Sequence, residues 1–260
     1  MNDKILELKS VNKQYRAFEG FFKGSSVTIN AVDNISLSIQ KGRSLGIVGE
    51  SGSGKTTLAK LITDITRPDS GSVLYKGKDI RQADKTEYPA YRRNVQMVFQ
   101  DPYLSLNPKL TIFSAMKDGI EKYYGKKGLR EKCAKYLNMV GLDEEYLDRY
   151  PHEFSGGQRQ RLSIARALSL DPEIIVADEP VSSLDVSVQA QILNLMKKLK
   201  LENGLTFILI SHDLSVVSFL CDDVLVMNKG QMVEYGSVED VLNNPRQEYT
   251  KNLLTASKGE

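Results

Sequence analysis

The feature that most limits how this chain can fold is an eight-residue turn, Gly49-Glu50-Ser51-Gly52-Ser53-Gly54-Lys55-Thr56. It follows a short β-branched run at 44–48 and opens a stretch, 55–66, in which Leu58, Leu61, Ile62 and Ile65 recur at helical spacing. A strand that enters a glycine-rich turn and leaves as a helix presents several backbone N–H groups, and the positive end of a helix, to one point. Gly49, Gly52 and Gly54 let the backbone curl, and Glu50, Ser51 and Ser53 fill the positions between them. Lys55 adds a cation, Thr56 a hydroxyl that can ligate magnesium, and Thr57 extends the cradle. With glycine at about 7% of residues, the pattern G-x-x-x-x-G-K-[ST] arises by accident in on the order of one chain in a hundred. The strand before it and the helix after it therefore carry the assignment of a phosphate-binding loop, as against a plain glycine-rich turn.

The remaining pattern predicts an α/β chain. Runs at 5–11, 28–32, 35–39 and 44–48 read as strands, with 20–26 a loop between two of them. From 112 to 149 the pattern is helical and polar, with Leu137, Val140, Leu142 and Leu147 as inward positions. A helix over 159–168, an apolar strand over 173–177, a helix over 186–200 and an apolar strand over 206–210 follow. Uniformly apolar strands alternating with helices imply a parallel sheet. Residues 224–234 read as a hairpin about Lys229-Gly230, and a closing helix starts at 238–242. The expectation is one domain over 1–260. Its core, 1–100 and 169–240, is a phosphate-loop nucleotide-binding fold with a parallel sheet and an N-terminal antiparallel β subdomain. A helical subdomain is inserted at 101–168, and 241–260 form a short tail.

Composition removes several function classes. The 35 basic and 33 acidic side chains leave a net charge of +2, too little for a field directed at nucleic acid or anionic lipid, and tryptophan is absent. Unbroken apolar stretches are only a few residues long, whereas a spanning helix needs roughly 20. The mixed charges of 1–10 lack the apolar core of a secretory signal, which reads as cytoplasmic. Cys133 and Cys221 stand far apart, in no metal-binding spacing, and read as reduced thiols partly in the core.

Three further positions share the expected carboxyl edge of the sheet, where open α/β folds bind ligands. Asp178 and Glu179 end the strand at 173–177, so Asp178 can hold magnesium through water while Glu179 polarises an attacking water. Taken alone, an Asp-Glu pair would be a solvated helix start. His212 follows the strand at 206–210, beside Ser211 and Asp213, in reach of a γ-phosphate or the attacking water; a lone histidine is otherwise a surface residue or a satisfied core residue. Gln100 closes a strand at 95–99, where an ordinary polar turn before Asp101-Pro102 is the competing explanation.

Phe154-Ser155-Gly156-Gly157-Gln158 resembles the signature sequence of ATP-binding-cassette proteins, with Phe where Leu is commonest. The order of phosphate loop, Gln100, signature, Asp178-Glu179, Ser182-Ser183-Leu184-Asp185 and His212 is similar to that family across nearly the whole chain. Three stretches, from Asp101 to Pro108, from His152 to Arg161 and from Glu179 to Gln191, resemble the ATPases of oligopeptide, dipeptide and nickel importers. The resemblance implies an ATP- and Mg2+-dependent ATPase in which two subunits sandwich two nucleotides. Each site joins one phosphate loop to the other chain's Ser155, Gly156, Gly157 and Gln158. It further implies that Tyr15 stacks on adenine, with Phe18 as a competitor, that Gln100 couples magnesium to the membrane partner, that Asp185 communicates across the dimer and that His212 senses the γ-phosphate. The implied partners are a second cassette, a different chain in preference to a second copy, two membrane permeases and an extracytoplasmic substrate-binding protein. The implied location is the cytoplasmic face of the membrane. A non-transport cassette in a soluble machine, such as an accessory to carbon–phosphorus bond cleavage, is the alternative; a phosphate-loop kinase has no use for the signature. Residues 245–254 resemble the point where many such importer ATPases continue into a C-terminal extension.

Overall fold

The computed structural model describes residues 4–18, 26–101 and 105–257. They form two compact units, 1–91 with 208–260 and 92–207. The chain passes from the first to the second within a helix, Glu87–Asn94 (α2), and returns within a strand, Thr206–Ile210 (β8).

The first unit begins with two long antiparallel strands, β1 (Lys4–Phe18) and β2 (Ser26–Gln40), joined on the β1 side by β4 (Ser70–Tyr75) and then β5 (Lys78–Asp79). The two short strands expected at 28–32 and 35–39 are one continuous strand. Its register slips against β1 between Val11, opposite Ile35, and Lys13, opposite Val32. Asn34 takes a left-handed backbone (φ 51°) there and donates its N–H to Asn12 Oδ1 at 2.8 Å, so the irregularity is absorbed inside the ladder as a bulge. Residues 20–25 of the expected loop lie outside the described residues.

A second group of strands carries the phosphate-loop turn. β3 (Leu45–Val48) runs parallel to β8 and to β9 (Asp223–Asn228), and β9 pairs antiparallel with β10 (Gln231–Ser237). All four β3 residues are buried. A Cβ on Gly46 would stand 2.3 Å from Val217 Cγ1 of α7 (Leu214–Leu220), so glycine lets that helix lie directly on the strand. The helix after the turn, α1 (Lys55–Ile62), is shorter than the expected 55–66. The Thr63 hydroxyl turns back to the Ala59 carbonyl at 2.9 Å, and Asp64 adopts φ 51°, which ends the helix without a glycine. Tyr91 is 1% exposed, meets Tyr75 edge-on at 5.3 Å and donates its hydroxyl to the Ile62 carbonyl. Two C-terminal helices follow, α8 (Val238–Asn243) and α9 (Glu248–Ser257).

In the second unit β6 (Val95–Val98) runs parallel to β7 (Ile174–Asp178). The expected helical stretch resolves into α3 (Ile112–Tyr124), α4 (Leu129–Met139) and a 3-10 turn, Glu144–Asp148, then α5 (Gly156–Leu168) and α6 (Val186–Asn203). Leu137, Val140, Leu142 and Leu147 are all buried as expected, although only Leu137 lies in a helix: Val140 and Leu142 follow the end of α4 and Leu147 lies in the 3-10 turn. No described helix is long and apolar enough to cross a membrane. Cys133 and Cys221 are free and buried.

Candidate active site

In the first unit, β3 delivers the chain into the turn at Gly49, whose φ of 149° favours glycine and where a Cβ would stand 2.1 Å from the Met227 carbonyl. Leu58 N–H bonds the Gly54 carbonyl as α1 begins, so the amides of Lys55, Thr56 and Thr57 stand in the first turn of the helix, at its positive end. Those amides, together with the turn, form an anion cradle. The Lys55 ammonium, only 6% exposed, donates to the Gly49 and Glu50 carbonyls at 2.7 Å each and reaches Ser53 Oγ at 3.5 Å. Two short bonds therefore aim it, and its longest contact is the one a phosphate oxygen can replace. Glu50, Ser51, Gly52 and Thr56 are exposed.

His212 leaves β8, the strand beside β3, just after the point where Ile210 lies opposite Ile47. Ser211 donates its N–H to the Ile47 carbonyl at 3.2 Å, and Asp213 caps α7 by accepting from Ser215 N–H at 2.8 Å. The histidine, itself exposed, is thus fixed between a strand end and a capped helix on the edge that also emits the phosphate loop. Tyr15 lies on β1 opposite Ile29, 41% exposed, with Lys13 Nζ 5.6 Å from its ring centre. The side chain of Phe18 lies outside the described residues.

In the second unit the register of β6 and β7 places Val98 opposite Ala177, so Gln100 and Glu179, each two residues further on, come together. The Gln100 amide nitrogen donates to Glu179 Oε2 at 3.2 Å and lies 3.4 Å from Ser182 Oγ. Glu179 has a left-handed backbone (φ 45°), an uncommon state for a non-glycine residue. Ser182 N–H returns to the Glu179 carbonyl at 3.3 Å and closes the turn that imposes it. Asp178, the last residue of β7, is 5% exposed. The carboxylates therefore stand at a strand end and not at a solvated helix start. Ser182, which opens the Ser182-Ser183-Leu184-Asp185 stretch, thus meets both Gln100 and Glu179, a contact that its place in the sequence does not reveal.

The signature segment lies on the same unit. Phe154 is buried and meets Tyr146 edge-on at 5.4 Å, which anchors the segment, while Ser155 and Gly156 stay exposed. Ser155 caps α5 reciprocally: its Oγ accepts from Gln158 N–H at 3.3 Å, and its own N–H donates to Gln158 Oε1 at 3.0 Å. A Cβ on Gly157 would stand 2.5 Å from Val188 Cγ1, so the start of α5 rests on the start of α6. Asp185 caps α6, accepting from Val188 N–H at 2.9 Å and the Ser187 hydroxyl at 2.7 Å. Those bonds hold its carboxyl below the usual carboxylate range.

The profile of the ABC transporter family matches residues 32–182. The chain belongs to that family. Among similar members, the oligopeptide transport ATP-binding protein AppF of Bacillus subtilis (strain 168) is 46% identical over 98% of this chain and 78% of its own length. The dipeptide transport ATP-binding protein DppF of Escherichia coli (strain K12) is 44% identical over 99% of this chain and 77% of its own. Among solved family structures, cbiO1 from Clostridium perfringens, part of the ABC transporter complex cbiONQ, superposes with a TM-score of 0.77 at 28% identity, covering 93% and 92% of the two chains. The cassette MJ0796, a dimer in a post-hydrolysis state bound to ADP and Pi, superposes at 0.76 with 32% identity, covering 90% and 98%.

Beyond the residues read from the sequence, the second unit of this family member carries a groove of about 250 Å3 lined by Gln96, Asn107, Leu110, Met116, Asp118 and Arg166 among others. Leu110 is 38% exposed, and burial lowers the pKa of the Arg166 guanidinium. Its lining comes from four separate elements, so no local motif announces it.

Proposed function

We propose that this chain is the ATP-hydrolysing subunit of a membrane importer for oligopeptides or dipeptides. It works at the cytoplasmic face, with a second cassette, two permeases and an extracytoplasmic binding protein. The observation that carries the reading is the 46% and 44% identity, over nearly the whole chain, to ATP-binding proteins of oligopeptide and dipeptide transport. Those relatives rank peptides ahead of nickel or metal chelates as cargo, and they disfavour a soluble carbon–phosphorus lyase accessory.

In this reading Lys55 and the amides after Gly54 hold the β- and γ-phosphates, Tyr15 stacks on adenine and His212 donates to the γ-phosphate. Glu179 draws a proton from water as the water oxygen bonds to the γ-phosphorus, and the bond from that phosphorus to the ADP oxygen breaks. Gln100 keeps the carboxylate turned to that water. Thr56, Asp178 and Gln100 are the hard oxygen donors that Mg2+ prefers. The Gln100 nitrogen is engaged with Glu179 and Ser182, so its Oε1 is the atom a cation would meet. Magnesium, when bound, neutralises charge on the phosphates. Ser155, Gly156, Gly157 and Gln158 serve the nucleotide held by the partner cassette, Asp185 lies at that junction, and the groove beside Leu110 and Arg166 receives a permease helix.

The test is affinity purification of tagged Glu179→Gln chain from native membranes with ATP and magnesium, followed by mass spectrometry. Two permeases and a second cassette are expected. Recovery with soluble proteins alone overturns the transport reading.

A further inference from the structure

The peptide plane between Gly49 and Glu50 is gripped at both ends. Its carbonyl, on Gly49, accepts from Lys55 Nζ at 2.7 Å. Its N–H, on Glu50, donates to the Tyr249 hydroxyl at 3.2 Å. In a planar trans peptide these two groups point in opposite directions, so Lys55 and Tyr249 hold one rigid plate from opposite sides. Gly49 precedes the plate, and a glycine is the residue least able to keep a peptide plane from turning. A hydrogen bond on the far side supplies the restraint that a side chain at 49 cannot, because the Met227 carbonyl occupies that space.

Tyr249 is brought there by a fixed strap. It lies in the first turn of α9, whose approach is held by Glu234 on β10. The Glu234 carboxylate accepts from Arg246 N–H at 2.9 Å and from Gln247 N–H at 3.2 Å. Burial pushes the Glu234 pKa up, but the bonds from these two amides and the charge of Arg246 oppose it and the group stays ionised to lower pH than usual. Thr250, next to Tyr249, is 1% exposed, which seats the helix against the unit. Gly230 N–H, in the turn before β10, donates to the Ser53 carbonyl at 2.9 Å, so the loop is held at Glu50 by Tyr249 of α9 and at Ser53 by that turn.

We propose that Tyr249 is a positioning residue for the nucleotide phosphates: through the Glu50 amide, the C-terminal helix sets the peptide plane that aims Lys55. The proposal rests on the reading of this loop as the ATP site. It makes the chain after residue 244 part of the nucleotide site and not merely a tail, and it gives any segment or partner that displaces α9 a direct hold on ATP affinity.

The test is mant-ATP binding, with magnesium, to the full chain and to Tyr249→Phe, which removes only the hydroxyl. The Kd should rise roughly threefold to tenfold, the range expected for one net hydrogen bond, while the melting temperature without nucleotide moves by less than about 2 °C. Glu234→Ala, which releases the strap, should raise the Kd similarly, and combining the two should add little to either. An unchanged Kd in Tyr249→Phe overturns the proposal, as does a lowered melting temperature with unchanged affinity, which marks a merely structural contact. Fully additive effects overturn the route through Glu234. A Kd that is the same in Lys55→Ala as in the unaltered chain is a different result: it removes the ATP reading of the loop, and the proposal with it.

Discussion

The Gln100 amide nitrogen and Glu179 Oε2, 79 positions apart in the chain, lie 3.2 Å from each other at the ends of two parallel strands. Gln100 lies two residues beyond β6 and Glu179 one beyond β7, and the pairing of Val98 with Ala177 brings them level. The carboxylate is oriented by a neighbour that cannot itself take its proton, as a general base requires. Glu179→Gln should therefore lower ATP turnover of the assembled transporter by roughly 10²- to 10⁴-fold while ATP still binds. Gln100→Ala, which leaves the carboxylate in place without its tether, should cost roughly tenfold. Phosphate release by the assembled complex checks both, and normal turnover in Glu179→Gln would remove the residue from the chemistry.

The close approach of Gly157 to Val188 reverses an ordinary rule. In a helix, Gly→Ala is normally favourable by about 1 kcal/mol. Here the added methyl meets Val188 Cγ1 at 2.5 Å, and a β-branched side chain has little freedom to retreat. Gly157→Ala should destabilise by about 1–3 kcal/mol, read from urea unfolding, and Val188→Ala in the same chain should restore most of the loss. Stabilisation by Gly157→Ala alone would show that α5 and α6 are not in this contact.

Much of this arrangement was legible in the sequence because buried parallel strands are uniformly apolar. The run at 206–210 coincides with β8 at both ends, and Asp178 and Glu179 fall at the strand end where their position was expected. The elements left unread, β4, β5, α2, α7 and α9, are short, half exposed or rich in β-branched residues, so neither period dominates. The helix end at Ile62 was hidden for another reason: the stop is made by a Thr63 hydroxyl and a left-handed Asp64, with no glycine to signal it. The meeting of Gln100 with Glu179 and of Tyr249 with Glu50 depends on register and on chain return, which local pattern does not encode.

Burial pushes the Cys133 thiol up to about 11, against a small opposing effect of Arg130. A group whose pKa is raised on folding stabilises below its unfolded value and loses that contribution as pH rises through the folded value. Stability should thus decline between about pH 9 and 11 through this thiol. At pH 8 Cys133 should react with a disulfide reagent only as fast as the chain opens. Stoichiometric labelling of Cys133 within seconds in the native state would contradict its burial.

Asp171 gathers two phenols in the second unit. Tyr136 donates to its Oδ1 and Tyr124 to its Oδ2, each at 2.8 Å, and Tyr124 also reaches the Leu170 carbonyl at 3.0 Å. Asp171 has φ 49°, a conformation that aspartate and asparagine tolerate better than most residues. Asp171→Asn keeps that tolerance and one acceptor oxygen, whereas Asp171→Ala loses both acceptors and strains the turn. The expected losses are about 1 kcal/mol for asparagine and about 2–4 kcal/mol for alanine, measured by urea unfolding. Burial, then the bond to Asp171, pushes Tyr124 up to about 12 and raises Tyr136 as well. Both phenols keep their protons in the folded chain at a pH where the unfolded chain has begun to lose them. Their contribution is therefore complete below about pH 10 and declines as pH rises through 12, that of Tyr124 first. Asp171→Ala should flatten that alkaline decline, because the folded phenols would titrate closer to their unfolded values. An identical alkaline profile in the two chains would place the origin of the decline elsewhere.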